Sequence, residues 1–199
     1  MAGWGAWRVK EGCLSRCDRV FARAGRRAAA AAAAALTLGG CGLLGGRAGL
    51  QGDPLVMTVT SPAFGQEPLP AQFTCHGKGE NPPVYWSGAP QGTKALALVV
   101  DDADAPITPN VNWIVYNINP DTPDIQAGRL PPGARQAENS KGAVGYAPPC
   151  PNDRHRYRFT IYALNAPLRL PRQPSLTAAW TAIARNAIAR GRLNAVVMP

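Results

Sequence analysis

Short apolar or β-branched runs, each bounded by Pro, Gly, Asn or Asp, dominate the chain beyond its first fifty residues. On that pattern Leu55 to Thr60, Ala71 to Cys75, Ala95 to Val100 and Asn112 to Ile118 each read as a strand. The clearest alternation is His155-Arg156-Tyr157-Arg158-Phe159-Thr160-Ile161-Tyr162. Its odd positions are mostly aromatic or apolar and its even ones mostly polar, as in a half-buried strand. One stretch carries the helical period instead, Leu176 to Arg190, with Trp180, Ile183 and Ile188 on one face. Ser175 or Thr177 can N-cap it, Gly191 is its expected stop, and Arg185 and Arg190 suit the negative end of its dipole. Twenty prolines discourage further long helices, and Pro120 to Asn139 reads as an irregular segment of the kind that is flexible or lines a site. The expected fold is mainly β, an antiparallel β-sandwich with a C-terminal α-helix and long irregular loops.

The first forty residues follow a different pattern. A basic segment (Arg8, Lys10, Arg16, Arg19, Arg23, Arg26, Arg27) precedes the apolar run Ala28 to Leu38 and then Gly39-Gly40-Cys41. Residues 1–40 therefore read as a secretory signal, its apolar run too short for the roughly 20 residues that span a bilayer. Leu38-Gly39-Gly40-Cys41 resembles a bacterial lipobox, which makes Cys41 the lipidated residue and places the protein in the cell envelope, anchored to a membrane. The competing reading is an Ala-rich surface helix with an incidental cysteine. No Met lies between Met1 and Met57, so a start nearer Val20 would need an alternative initiation codon. Residues 41–52 form a Gly-rich tether and 53–199 one domain of ordinary size.

Removing the signal changes the charge picture. Residues 1–40 hold seven basic and two acidic side chains, so the formal +9 of the whole chain falls to +4. Arginines recur at Arg154, Arg156, Arg158, Arg185, Arg190 and Arg192, and the aromatics between the first three fall on the opposite face of the alternating run, so the two do not form one nucleic-acid platform. No nucleic-acid partner is expected; a solvated face, or weak attraction to an anionic lipid surface, fits better. Cys13 and Cys17 leave with the signal. Cys75 and Cys150 remain as a pair in an exported domain, where a disulfide is the default and two separate buried thiols the alternative. No Cys-x-x-Cys spacing points to a metal.

The candidate chemistry starts at Asp101-Asp102-Ala103-Asp104-Ala105-Pro106, at the end of the apolar run Ala95 to Val100. In extended backbone Asp102 and Asp104 point the same way, repel, and one pKa should rise unless a cation or proton donor meets them. His76 and His155 are the candidate partners, and His155 shares a strand face with Tyr157. The alternatives are an Asp-rich turn that caps backbone N–H groups and a histidine satisfied within the core.

Together with Asn112-Trp113-Ile114-Val115-Tyr116-Asn117-Ile118, Cys150-Pro151 and His155-Arg156-Tyr157, this acidic turn resembles the phosphatidylethanolamine-binding protein family, in particular its bacterial Raf-kinase-inhibitor-like branch. Ser61-Pro62-Ala63-Phe64, Phe73-Thr74-Cys75-His76-Gly77, Asn81-Pro82-Pro83-Val84-Tyr85-Trp86 and Tyr162-Ala163-Leu164 extend the resemblance over about residues 55 to 190. It implies a β-sandwich with a small surface pocket for phosphate-like anions or phospholipid head groups. Carried over by position, the pocket draws on Asp102, Asp104, Asn112, the turn around Pro149, His155 and Tyr157. Three departures surround it. Ala103 stands where the family has the first Pro of Asp-Pro-Asp-Ala-Pro, Asn112 where it has His, and Pro148 where it has the Gly of Gly-Pro-Cys-Pro-Pro. An amide cannot carry charge, and proline supplies no N–H to an anion.

The resulting expectation is a non-catalytic, lipid-anchored envelope protein that binds a small anion or head group, with no cofactor and no metal, and regulates a partner protein. Two alternatives stand beside it: a hydrolase using Asp102 or Asp104 with His155, and a protein inhibitor or scaffold with an idle pocket. A serine-triad hydrolase would lack the Gly-x-Ser-x-Gly elbow.

Overall fold

The computed structural model describes residues 57–65 and 68–199. The signal, the lipobox with Cys41, the tether, and Leu55 and Val56 lie outside the described residues.

Two antiparallel sheets form the domain. The smaller contains β1 (Thr58–Thr60), β2 (Val84–Ser87) and β5 (Asp124–Ile125) in the order β1-β2-β5. The larger has the order β6-β4-β3-β7-β8, built from β3 (Ala95–Asp102), β4 (Asn110–Ile118), β6 (Arg135–Gln136), β7 (His155–Leu164) and β8 (Ala187–Val197). Every residue of β3 is buried, which is why its sequence is an unbroken apolar run rather than an alternation. Leu96, Leu98 and Val100 turn into the main core with Trp113, Phe159 and Ile161, against Val59, Val84, Trp86 and Ile125 of the small sheet. Ala97 and Val99 turn the other way, into a second core with Ile114, Tyr116 and Leu164, covered by Ala179 and Ile183 of α1 (Leu176–Asn186). The sandwich with a C-terminal helix is thus present.

Three local expectations are corrected. Ala71 to Cys75 is not a strand: Ala71–Phe73 is a single 3-10 turn, closed by the Thr74 hydroxyl donating to the Ala71 carbonyl at 2.9 Å. The helix does begin at Ser175, whose Oγ accepts the Ala178 N–H at 3.3 Å, but it ends at Asn186 instead of Arg190. Ile188 and Arg190 belong to β8, which pairs with β7 from His155↔Val197 to Leu164↔Ala187. Ten cross-strand pairs outweigh the modest helix preference of Ala-Ile-Ala-Arg. Gly191 therefore stops no helix. It sits in mid-strand opposite Ile161, where a Cβ would lie 2.3 Å from the Met57 carbonyl oxygen, so only glycine lets the two backbones approach.

Two bulges shape β4. One accompanies Asn117, the one non-glycine residue with positive φ (56°) among the described residues, whose amide bonds both the N–H and the carbonyl of Leu168 at 2.7 and 2.9 Å. The other falls between the pairs Val100↔Trp113 and Asp101↔Val111, so Asn112 is the extra residue. Cys75 and Cys150 are joined as a disulfide, with Cα atoms 5.4 Å apart across 75 residues of chain.

Candidate functional site

The site lies where β3, β4 and β7 end together. Cross-strand register puts Asp101 opposite Arg158 and Asp102 opposite Tyr157, with His155 diagonal to Asp102 on the same face. Each acid consequently meets its own partner on β7. Asp101, 3% exposed, pairs with Arg158 (Nε to Oδ2 2.9 Å) on the outer face of the sheet. Asp102 Oδ2 lies 2.8 Å from His155 Nδ1, while its Oδ1 accepts the Asp104 N–H at 2.9 Å in an Asx turn. Asp104 accepts the Arg156 backbone N–H at 2.8 Å and its guanidinium at 2.6 to 3.2 Å. The Asp-x-Asp segment is both a capping turn and a wall.

The expected repulsion between Asp102 and Asp104 does not raise the pKa of Asp104. Hydrogen bonds from the Arg156 side chain, then from its backbone N–H, push the Asp104 carboxyl down to about 2. A carboxylate bonded to a guanidinium stays ionised whatever its neighbour does. Burial and the adjacent Asp102 charge move the Tyr157 phenol the opposite way, well above its ordinary value, so it remains a hydroxyl donor at any working pH. An ionised Asp102 can only accept, so His155 carries a proton on Nδ1. Nε2 is then an acceptor in the neutral ring and a donor in the protonated one.

These groups border an open cavity of about 950 Å³. Five of the six expected residues line it: Asp102, Asp104, Asn112, His155 and Tyr157. Pro149 does not. It is buried, and its carbonyl accepts the Cys75 N–H at 3.0 Å, so the turn presents Pro148, Cys150 and Pro151 instead. His76 is exposed beside the disulfide and is not brought to the cavity. Its ring nitrogen and the two sulfurs lie within 4.8 Å of one another, but the sulfurs are bonded to each other.

Asn112 has a defined orientation at the base of this cavity. Its Nδ2 donates to the Ala147 carbonyl at 2.8 Å, and its own carbonyl accepts the Ala147 N–H at 2.8 Å. Its Oδ1 is buried with no donor among the described residues. Asn112 Oδ1 is thus an acceptor closed off from solvent, and the amide N–H bond to Ala147 is spent inside the fold. A buried acceptor left unmatched is unfavourable by about 1–3 kcal/mol.

The cavity also holds residues that carried no signal in the sequence. Lys141 and Ser140 line it opposite the acids. Lys141 is placed by Asn139, which is buried and whose Oδ1 accepts the Lys141 and Ala143 N–H groups at 2.9 and 3.3 Å. The Ser140 hydroxyl accepts the Val111 N–H at 2.8 Å and so is engaged by backbone. On the rim, the loop Ala105–Pro109 holds Ile107 91% exposed. The site thus combines Lys141, the Tyr157 hydroxyl and the His155 ring with the acceptor Asp102, a set matched to ligands carrying both an anion and hydrogen-bond donors.

Comparison with known proteins agrees with this architecture. The family described as phosphatidylethanolamine-binding protein matches residues 60–198. The "Putative lipoprotein LppC" of Mycobacterium tuberculosis is 42% identical over 141 residues, covering 69% of this chain and 70% of that protein. Among solved structures, CT736 from Chlamydia trachomatis superposes with a TM-score of 0.67 at 33% identity, covering 72% of this chain and 98% of its own. YbcL of E. coli, described as "a new member of the mammalian PEBP family", gives a TM-score of 0.67 at 28% identity, covering 72% and 99%. A two-sheet sandwich with the acidic turn, the bulged β4 and β7 in one cavity, matched over nearly all the described residues, makes this chain a member of the phosphatidylethanolamine-binding protein family.

Proposed function

We propose that the protein is a non-catalytic envelope protein, lipid-anchored through Cys41, whose cavity takes a small phosphate-like anion or phospholipid head group and thereby regulates a partner protein. The observation that carries the binding part is the juxtaposition, in one 950 Å³ cavity, of Lys141, His155 and Tyr157 with the carboxylate of Asp102. Lys141 and His155 meet the anion, and Asp102 accepts from a ligand ammonium or hydroxyl. Envelope placement is supported by the lipoprotein-named relative and by the Leu38-Gly39-Gly40-Cys41 pattern.

The binding-only reading is favoured over a hydrolase because the Ser140 hydroxyl is held by backbone groups and the Asp102 carboxylate by His155 and the Asp104 N–H. Asp102, Asp104 and His155 do not converge as a metal triad either, since both Asp104 oxygens are bonded to Arg156. Calorimetric titration of the full chain with phosphoethanolamine tests the proposal. The expected result is saturable binding, weakened about tenfold by Lys141→Ala or His155→Ala, the loss of one charged hydrogen bond. Absence of heat at high ligand concentration would overturn it. Turnover of a phosphoester abolished by His155→Ala would replace it with the hydrolase.

A further inference from the structure

A second site lies on the opposite flank of the large sheet, in the groove between α1 and β8. A pocket of about 160 Å³ is lined by Trp180, Ile183 and Ala184 from the helix and by Tyr162 and Arg190 from the strands. Tyr162 and Arg190 are cross-strand partners, as are Thr160 and Arg192, so all four side chains share one sheet face. Arg192 Nε donates to the Thr160 hydroxyl at 3.1 Å. Arg190 Nε is buried and meets no acceptor among the described residues, while the Tyr162 phenol is the polar neighbour of its guanidinium. Among the described residues neither arginine has a carboxylate within ion-pair distance, and Asp101, Asp102 and Asp104 are taken by Arg158, His155 and Arg156.

The sequence explains why no internal anion is supplied. From Arg154 to Pro199 there are eight arginines and not one Asp or Glu. Two of the eight, Arg156 and Arg158, are matched by Asp104 and Asp101. Of the remainder, Arg185 stands in the last turn of α1 and Arg190 and Arg192 on the facing strand, which makes this flank positive. Beside Arg190 the wall is apolar: Trp180 is 39% exposed although it stands on the only α-helix among the described residues, and it borders the pocket with Ile183 and Ala184. A guanidinium lining the groove with no carboxylate partner among the described residues, next to an indole left partly bare, calls for a ligand that is anionic at one end and apolar at the other.

We infer that the α1–β8 groove is a second binding site, for the phosphate or carboxylate head of an amphiphile whose chain lies along Trp180. The head accepts from Arg190, with Arg192 and Arg185 supplying long-range attraction. The first methylenes of the chain cover Ile183, Ala184 and the indole. The site is separate from the cavity at Asp102 in residues and in face, so either can hold without the other.

The test follows the Trp180 indole N–H resonance of the full ¹⁵N-labelled chain, assigned by its absence in Trp180→Phe. Three probes separate the chemistry: monomeric dihexanoyl phosphatidylglycerol (head and chain), octyl glucoside (chain without charge) and inorganic phosphate (charge without chain). The phosphatidylglycerol should move the resonance saturably, with the other two at least about tenfold weaker. Arg190→Gln should weaken the response about tenfold. Ala184→Leu, at an exposed helix position where folding is not at risk, should abolish it by filling the groove. His155→Ala should leave it unchanged. A static Trp180 resonance overturns the inference, as does an equal response to octyl glucoside or to phosphate alone. So does wild-type binding by both Arg190→Gln and Ala184→Leu.

Discussion

Replacing Asp102 separates the hydrogen-bonding account of the acidic turn from a merely electrostatic one. The side chain is 5% exposed and receives two close bonds, from His155 Nδ1 at 2.8 Å and from the Asp104 N–H at 2.9 Å. Asp102→Ala orphans both donors at once. A bond to a charged acceptor contributes about 1.5–3 kcal/mol, but His155 is a quarter exposed and can rehydrate, so the lower end applies. The sum is about 3 kcal/mol, equivalent to a melting temperature lower by about 6–12 °C. Asp102→Asn keeps an oxygen for the Asp104 N–H and turns an amide N–H toward Nδ1, which the neutral ring meets by moving its proton to Nε2. Its loss should be only about 1 kcal/mol. Urea unfolding of the two variants, with ¹⁵N spectra of the histidine ring, reads both stability and tautomer. Equal destabilisation by Ala and Asn, or an Nδ1–H tautomer retained in Asp102→Asn, would refute the reasoning.

Other consequences follow from single features. Cys75→Ser with Cys150→Ser opens a loop of 75 residues and should lower stability by about 4.5 kcal/mol in calorimetry, with reductant reproducing the effect on the wild type. Gly191→Ala must displace the Met57 carbonyl and should lower stability by about 2 kcal/mol in urea unfolding; an unchanged midpoint would remove the close-approach argument. Asp104 titrates near 2 rather than its ordinary 3.8, so its contact with Arg156 stabilises the fold fully above pH 3.8 and is lost as pH falls toward 2. Carbon-detected titration of the Asp104 carboxyl should show that midpoint, and Arg156→Ala should return it to the ordinary value.

The parts of the fold visible in the sequence are those with a strong local period. β3, β4 and β7 stood out because a fully buried strand is an apolar run and a half-buried one alternates, and both appear where expected. β8 was hidden because Ala187-Ile188-Ala189-Arg190 continues the helical composition of α1, while its strand character arises from pairing with β7. The acids and His155 were legible as chemistry, and their partnership follows from register. The arginines were not legible as partners: nothing local says that Arg156 and Arg158 neutralise Asp104 and Asp101 from more than fifty residues away. Lys141 was missed for the same reason. Its place in the cavity depends on the turn built by Asn139, which has no signature beyond an Asn before a Gly-containing loop.

A crystal soaked with phosphoethanolamine tests the central claim most directly. The account predicts the phosphate between Lys141 and His155, with the ammonium directed at Asp102. A cavity left empty at saturating ligand, or a phosphate bound away from both Lys141 and His155, would contradict it.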